Sequence, residues 1–224
     1  MTAAQRTSGD VPDQFLSAAS QLHGPSWHEQ MAGAQALAQL ADRWYSDGAG
    51  AQAQRCIDLL CAYLRVHRYL GSAEREKSES AVREQILSLL TDFLRSGLGR
   101  VQGGLLINLS AVRIRGRLVF DGVSFGPGLR LILDRAQLEE DSRLSFDGCE
   151  FRGCIVRLDR ISLQKRAVLS LVGSTVDAGA WLVASTDGVH PTARVDVRGI
   201  SRRSSSGART QSVMSAVPLD CPKF

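Results

Sequence analysis

Between residues 105 and 202 one eight-residue phrase returns every twelve or thirteen residues, and no other feature limits the possible folds of this chain so tightly. Clear copies run Leu118–Phe125, Leu131–Leu138, Leu144–Phe151, Val156–Leu163 and Leu169–Val176, with weaker ones at Leu105–Val112, Leu182–Val189 and Val195–Arg202. The anchors are Ile107, Phe120, Leu133, Phe146, Leu158, Leu171, Ala184 and Val197, spaced by 13, 13, 13, 12, 13, 13 and 13 residues. Leu or Val stands two positions before every anchor. The position five after is apolar until Arg202 breaks the run. A fixed period of this kind signals a stack of supersecondary units, none able to bury its apolar face alone.

The pattern specifies a parallel β-solenoid. In Leu118-Val119-Phe120 the alternation sends two apolar side chains to one face of a short strand. Asp-Gly or Asp-Arg then turns a corner, and the apolar residue five after the anchor is the next inward side chain. A second rhythm sets the coil length: the residue two after the anchor alternates Gly122, Arg135, Gly148, Arg160, Gly173. Two units therefore make one coil, so residues about 26 apart stack. Phe120 is expected on Phe146, Phe125 on Phe151, Leu133 on Leu158 and Leu138 on Leu163. Eight units give about four coils. The same register puts Arg135 over Arg160, which requires both to be exposed beside Asp134 and Asp159.

The first hundred residues carry a different period. Apolar residues recur at helical spacing in four segments: about 13–22, from Ser26 to the Ser46-Asp47-Gly48 break, 51–70 and 78–94. Ser26 is the expected N-cap of the second, with Glu29 as its capping-box partner. Each stripe needs a neighbour to bury it, so a small bundle of antiparallel pairs follows. Trp44, Tyr45 and Tyr63 read as packing, and Cys56 and Cys61, on different helix faces, as buried thiols rather than metal ligands. The expected architecture is thus α+β: a helical domain over 11–99, a solenoid over 103–200 that the bundle caps, and a disordered basic tail over 201–224.

The Phe-Asp-Gly-x-x-Phe units, taken with the helical phrases Phe15–Leu22, Ala34–Trp44, Cys56–Arg65 and Val82–Ile86, resemble bacterial pentapeptide-repeat-like proteins. The resemblance is to an actinobacterial group with a helical N-terminal region, and it covers about residues 13–200. It implies a β-helix with no enzymatic activity and no established cofactor. The strict pattern of that family has a central Leu or Phe every fifth residue; the longer period here departs from it. Some pentapeptide-repeat proteins mimic DNA and bind type II topoisomerase through a strongly acidic surface. Residues 105–199, with 13 basic and 11 acidic groups, have no such surface. Many relatives carry upstream transmembrane helices, but no apolar run here approaches the roughly 18 residues a span needs.

Signatures of catalysis are missing from the sequence. His23, His28, His67 and His190 stand at no recognised ligand spacing, and there is no nucleophile elbow, Walker loop or dinucleotide fingerprint. The glycines between Gly97 and Gly104 read as an interdomain hinge. Asp121, Asp134, Asp147 and Asp159 recur in successive units, as corner residues do and a catalytic pair does not. The five cysteines are odd in number and at no metal spacing, which suits the reducing cytoplasm, and the N-terminus lacks the order of a secretory signal. No cofactor and no metal are expected. A hydrolase with an unrecognised site, built on a perturbed carboxylate or His190, is the least favoured reading.

Charge leaves one open question. Only Lys77, Lys165 and Lys223 of the 27 basic residues are lysines, and four basic groups fall in the last 25 residues. Arg113, Arg115 and Arg117 alternate as along one face of a strand, and Arg202 and Arg203 begin the basic tail. These five are the candidate anion or partner contacts. The expected function is a non-enzymatic interaction or scaffold protein whose partner is another protein. The alternative is association with nucleic acid or topoisomerase through those arginines.

Overall fold

The computed structural model describes residues 7–66, 73–96 and 104–203, and the chain divides into two compact units at the Phe93–Leu94 junction. Four helices come first: α1 (Thr7–Leu22), α2 (Trp27–Ser46), α3 (Gly50–Arg65) and α4 (Ala73–Arg95). Ser26 is extended, and its Oγ accepts the Glu29 N–H at 3.2 Å, which starts α2 where the sequence indicates. The buried stripe of α2 is Ala34, Leu37, Leu40, Ala41 and Trp44; that of α3 includes Cys56, Leu60, Tyr63 and Leu64. Gly33 sets how closely α1 and α2 approach, because a Cβ there would lie 2.2 Å from the Leu22 nitrogen. The Tyr63 hydroxyl donates to Glu79 at 2.8 Å and lies 3.0 Å from Gln30 Oε1, which ties α2, α3 and α4 together. Helix α3 stops at Arg65 rather than reaching Leu70. Val66 is already extended, and the Arg83 guanidinium donates to the carbonyls of Leu64 and Val66 that the helix end leaves free.

The rest is a parallel β-solenoid of four coils. β1 (Leu106–Asn108), β2 (Arg113–Ile114), β3 (Arg117–Val119) and β4 (Ser124–Phe125) form the first. β5 (Arg130–Ile132), β6 (Gln137–Leu138), β7 (Arg143–Ser145) and β8 (Glu150–Phe151) form the second. β9 (Ile155–Leu163), β10 (Val168–Ser170) and β11 (Thr175–Asp177) form the third, and β12 (Trp181–Val189), β13 (Arg194–Asp196) and β14 (Ser201–Arg203) the fourth. Every pairing is parallel and joins one coil to the next, as β3, β7, β10 and β13 do. β9 and β12 run unbroken past a corner that divides β5 from β6, so each coil has four walls.

The stacking follows the 26-residue rhythm. Phe120 lies on Phe146 with ring centroids 5.0 Å apart and Phe125 on Phe151 at 5.1 Å, the latter pair only 7° from parallel. All four rings are among the most deeply buried side chains of the chain. Leu118, Leu144, Leu169 and Val195 form a second inward column. Left-handed residues mark the corners: Gly122, Gly148, Gly173 and Gly199 at one, and Ala111, Arg135 and Arg160 at another. The glycines adopt this conformation freely, whereas each of the latter three bears its strain, about 1–2 kcal/mol. Arg135 and Arg160 are both exposed, as their stacking requires.

Three expectations need correction. Ile107 pairs with Leu131, not Leu133, so the anchor of the first unit is Leu109. The reason is a corner shortened to Arg115-Gly116 where the second coil has Glu139 to Ser142. Arg113 and Arg117 do not share a face, because that same corner separates β2 from β3 and puts them in different sheets. Ser201–Arg203 is the last strand, so regular structure continues into the segment read as tail. Residues 204–224 and the glycine-rich stretch 97–103 lie outside the described residues.

Candidate functional site

Each corner aspartate holds the coil that follows it. Asp121 Oδ1 accepts the Asp147 N–H at 3.0 Å and the Ser145 hydroxyl. One coil on, Asp147 Oδ1 accepts the Val172 N–H at 2.8 Å and the Ser170 hydroxyl. Asp159 accepts from Ser185 in the same way, and Asp134 accepts the Asp159 N–H at 3.3 Å. The carboxylates are structural staples between backbones, with their lone pairs occupied by donors. Burial alone would raise the Asp147 carboxyl, but the bonds from Ser170, Val172 and Ser145, with Arg143 beside it, hold it below the usual carboxylate range. Hydrogen bonds from Arg166, Ser124 and Arg198 do the same for Asp141, Glu150 and Asp196.

The other chemically reactive groups are also accounted for. Cys149 Sγ points at the Phe120 carbonyl at 3.1 Å, and burial pushes its thiol up to about 12 and that of Cys154 to about 11. Thiols so far from ionisation are poor nucleophiles. Cys56 is likewise raised to about 12 by burial, and Cys61 is buried and in no disulfide. His190, exposed in the turn after β12, accepts the Thr192 N–H on its Nδ1 at 3.2 Å. Among the described residues no group of His, Cys, Asp and Glu has a metal-holding arrangement, and no helix is long and apolar enough to cross a membrane. An open groove lined by Asp13, Gln14 and Arg43 lies between α1 and α2.

The outer surface of the solenoid is therefore where function is to be sought. The second wall carries Arg113 over Gln137, and at its edge Arg115 is paired with Glu139. The third carries Arg117 beside Arg143, itself 3.0 Å from Asp147. The fourth stacks Ser124, Glu150, Thr175 and Ser201 in one outward row, and Arg203 stands over Asp177 in the next. Only the first wall differs in kind. Its outward rows are Leu106, Arg130, Ile155 and Trp181, then Asn108, Ile132, Arg157 and Val183. Trp181 is 70% exposed, and Arg157 is 2.8 Å from Asp134. Of the five arginines singled out in the sequence, Arg202 and Arg203 are both exposed on β14 but lie on opposite faces of it, Arg202 over Val176 and Arg203 over Asp177, while Arg113, Arg115 and Arg117 are dispersed around a corner. The apolar first wall was missed; its signal was the run of Ile132, Ile155, Trp181 and Val183 at outward positions, readable once the 26-residue stack is known.

No protein family matches this chain, nor does any curated protein or solved structure.

Proposed function

We propose that this chain is a non-enzymatic interaction or scaffold protein of the pentapeptide-repeat-like type, which binds another protein on the first wall of its solenoid. The observation that carries this reading is that wall itself: an outward apolar row on which Trp181 and Val183 are exposed, Ile155 half-buried and Ile132 buried, with the guanidiniums of Arg130 and Arg157 beside them. Exposed apolar patches rimmed by charge mark partner surfaces, and stacked strands hold such a patch rigid. The stack of four coils behind a helical region supports the family resemblance. Cys56, Cys61, Cys149 and Cys154, all buried and in no disulfide, fit a reducing cytoplasm.

The test is capture of partners from native cells on the immobilised full chain, compared with a variant carrying Arg130→Glu and Arg157→Glu. One protein lost from the variant and retained on wild type supports the reading; identical capture by both overturns it. Nucleic-acid association is the weaker alternative, since Arg115 is already neutralised by Glu139 and Arg113 and Arg117 face different ways. Titration with duplex DNA decides it: micromolar binding that falls steeply with salt favours that alternative.

A further inference from the structure

The outward rows of the first wall hold two arginines, Arg130 and Arg157, and no acidic residue. Every other wall presents a carboxylate: Glu139 at the edge of the second, Asp196 on the third, Glu150 and Asp177 on the fourth. Arg130 is exposed and makes no ion pair among the described residues. The carboxylates at the neighbouring corner are already engaged. Asp134 accepts the Asp159 N–H and lies 2.8 Å from Arg157, and Asp159 accepts the Ser185 hydroxyl. The register also sets each cation beside an apolar side chain one coil on, Arg130 next to Ile155 and Arg157 next to Val183, across about 4.8 Å. Trp181 stands over Ile155 and is the most exposed large apolar side chain of the solenoid.

We propose, resting on the reading of this wall as a partner surface, that its occupant is an acidic segment of a different protein. Carboxylates of that segment meet Arg130 and Arg157, and apolar side chains between them lie on Trp181 and Val183. Guanidinium holds carboxylate through paired, charge-assisted hydrogen bonds, and an exposed Trp offers the large rigid area on which binding energy concentrates. Charge complementarity selects this occupant over the alternatives. A second copy of the chain offers only arginines from its own first wall. Residues 204–224 carry Arg209 and Lys223 against Asp220 alone, so they bring the wrong sign to the same surface. Single-stranded nucleic acid supplies anions and a ring for Trp181, but its sugars would cover Val183 and Ile155 with polar groups. A polypeptide matches both halves of the wall.

Fluorescence anisotropy of the full chain with labelled probes tests this. The probes are a random copolymer of Glu and Tyr, the matching copolymer of Lys and Tyr, polyglutamate, and oligo-dT. The Glu–Tyr copolymer is expected to bind with a Kd on the order of micromolar, polyglutamate about tenfold more weakly, and the Lys–Tyr copolymer not at all. Trp181→Ala and Arg130→Glu, both at exposed positions, should each weaken the Glu–Tyr copolymer about tenfold. The pair Arg113→Glu and Arg117→Glu, on other walls, should leave it unchanged, which separates this wall from general attraction to a basic chain. No binding of the Glu–Tyr copolymer overturns the proposal. So does tighter binding of oligo-dT or of the Lys–Tyr copolymer, or an equal loss in the Arg113 and Arg117 variant. The two readings fail separately: if native partners are still lost on Arg130→Glu with Arg157→Glu while the acidic copolymer does not bind, the wall remains a partner surface and its occupant is not acidic.

Discussion

The first and last coils are written in the same residues and end up in different environments. Val112 and Ile114 at one end and Val189 and Val197 at the other all occupy inward columns, yet the former are buried and the latter meet water. In a stacked tube, burial is decided by what lies above and below a residue as well as by its own hydropathy. A coil in the middle of the tube therefore has far more stability at stake per side chain than the coil at the open end.

The severest break of that contrast is Phe146→Asp, which puts a charge between Phe120 and the layer above it. It should cost well over about 4 kcal/mol and abolish cooperative unfolding of the solenoid by circular dichroism. A soluble variant that melts cooperatively would show the columns to be wrongly assigned. Phe146→Ala is expected to cost about 3–5 kcal/mol in urea unfolding. Val197→Ala, on the same inward column but in the open coil, should cost about 1 kcal/mol or less. Equal losses at the two sites would erase the distinction between middle and end.

Smaller effects sharpen it at the corners. Gly148 has φ +65°, so Gly148→Ala should destabilise by about 1–2 kcal/mol. Lowering the pH separates the coils by a different route. Asp147 is held below the usual carboxylate range, so its contribution is complete above the ordinary carboxylate pKa and disappears as pH falls through the lowered one. The denaturation midpoint should drop steeply below about pH 4, and Asp147→Asn should flatten that drop more than Asp196→Asn does. The smallest change expected is Arg160→Gly, which relieves a left-handed side chain at φ +56° but loosens the unfolded chain. Its net gain should be about 0.5 kcal/mol at most.

How much of this could be read in advance depended on what repeats. Phe120, Phe125, Phe146 and Phe151 were legible because identical rings at a fixed separation leave one way to stack. Leu105, Ile107 and Leu109 were not, since an alternating apolar run keeps the same side chains inward when it slips by two residues. Arg113, Arg115 and Arg117 looked like one strand for the same reason: alternation does not register a corner, and Gly116 turns one between them. Among the helices, Ser26 announced its cap locally, whereas the need for Gly33 depends on a neighbouring helix no local pattern shows. The serines 145, 170 and 185 became intelligible only as partners of aspartates one coil earlier. The chemistry of the surface was least legible, because an outward apolar row is scattered along the chain and gathered only by winding.

The shortened corners carry a consequence for how such a molecule can be lengthened. Successive turns differ by two residues at Gly116 and by one before Ile155, and the walls nonetheless stay in phase. Variation in perimeter falls mostly at the bends, although β12 also shifts register within a flat side, between Thr186 and Val189. A builder may accordingly splice in a duplicate of residues 130–154 as one more storey, or hang a foreign peptide from a bend, while every floor above keeps its alignment.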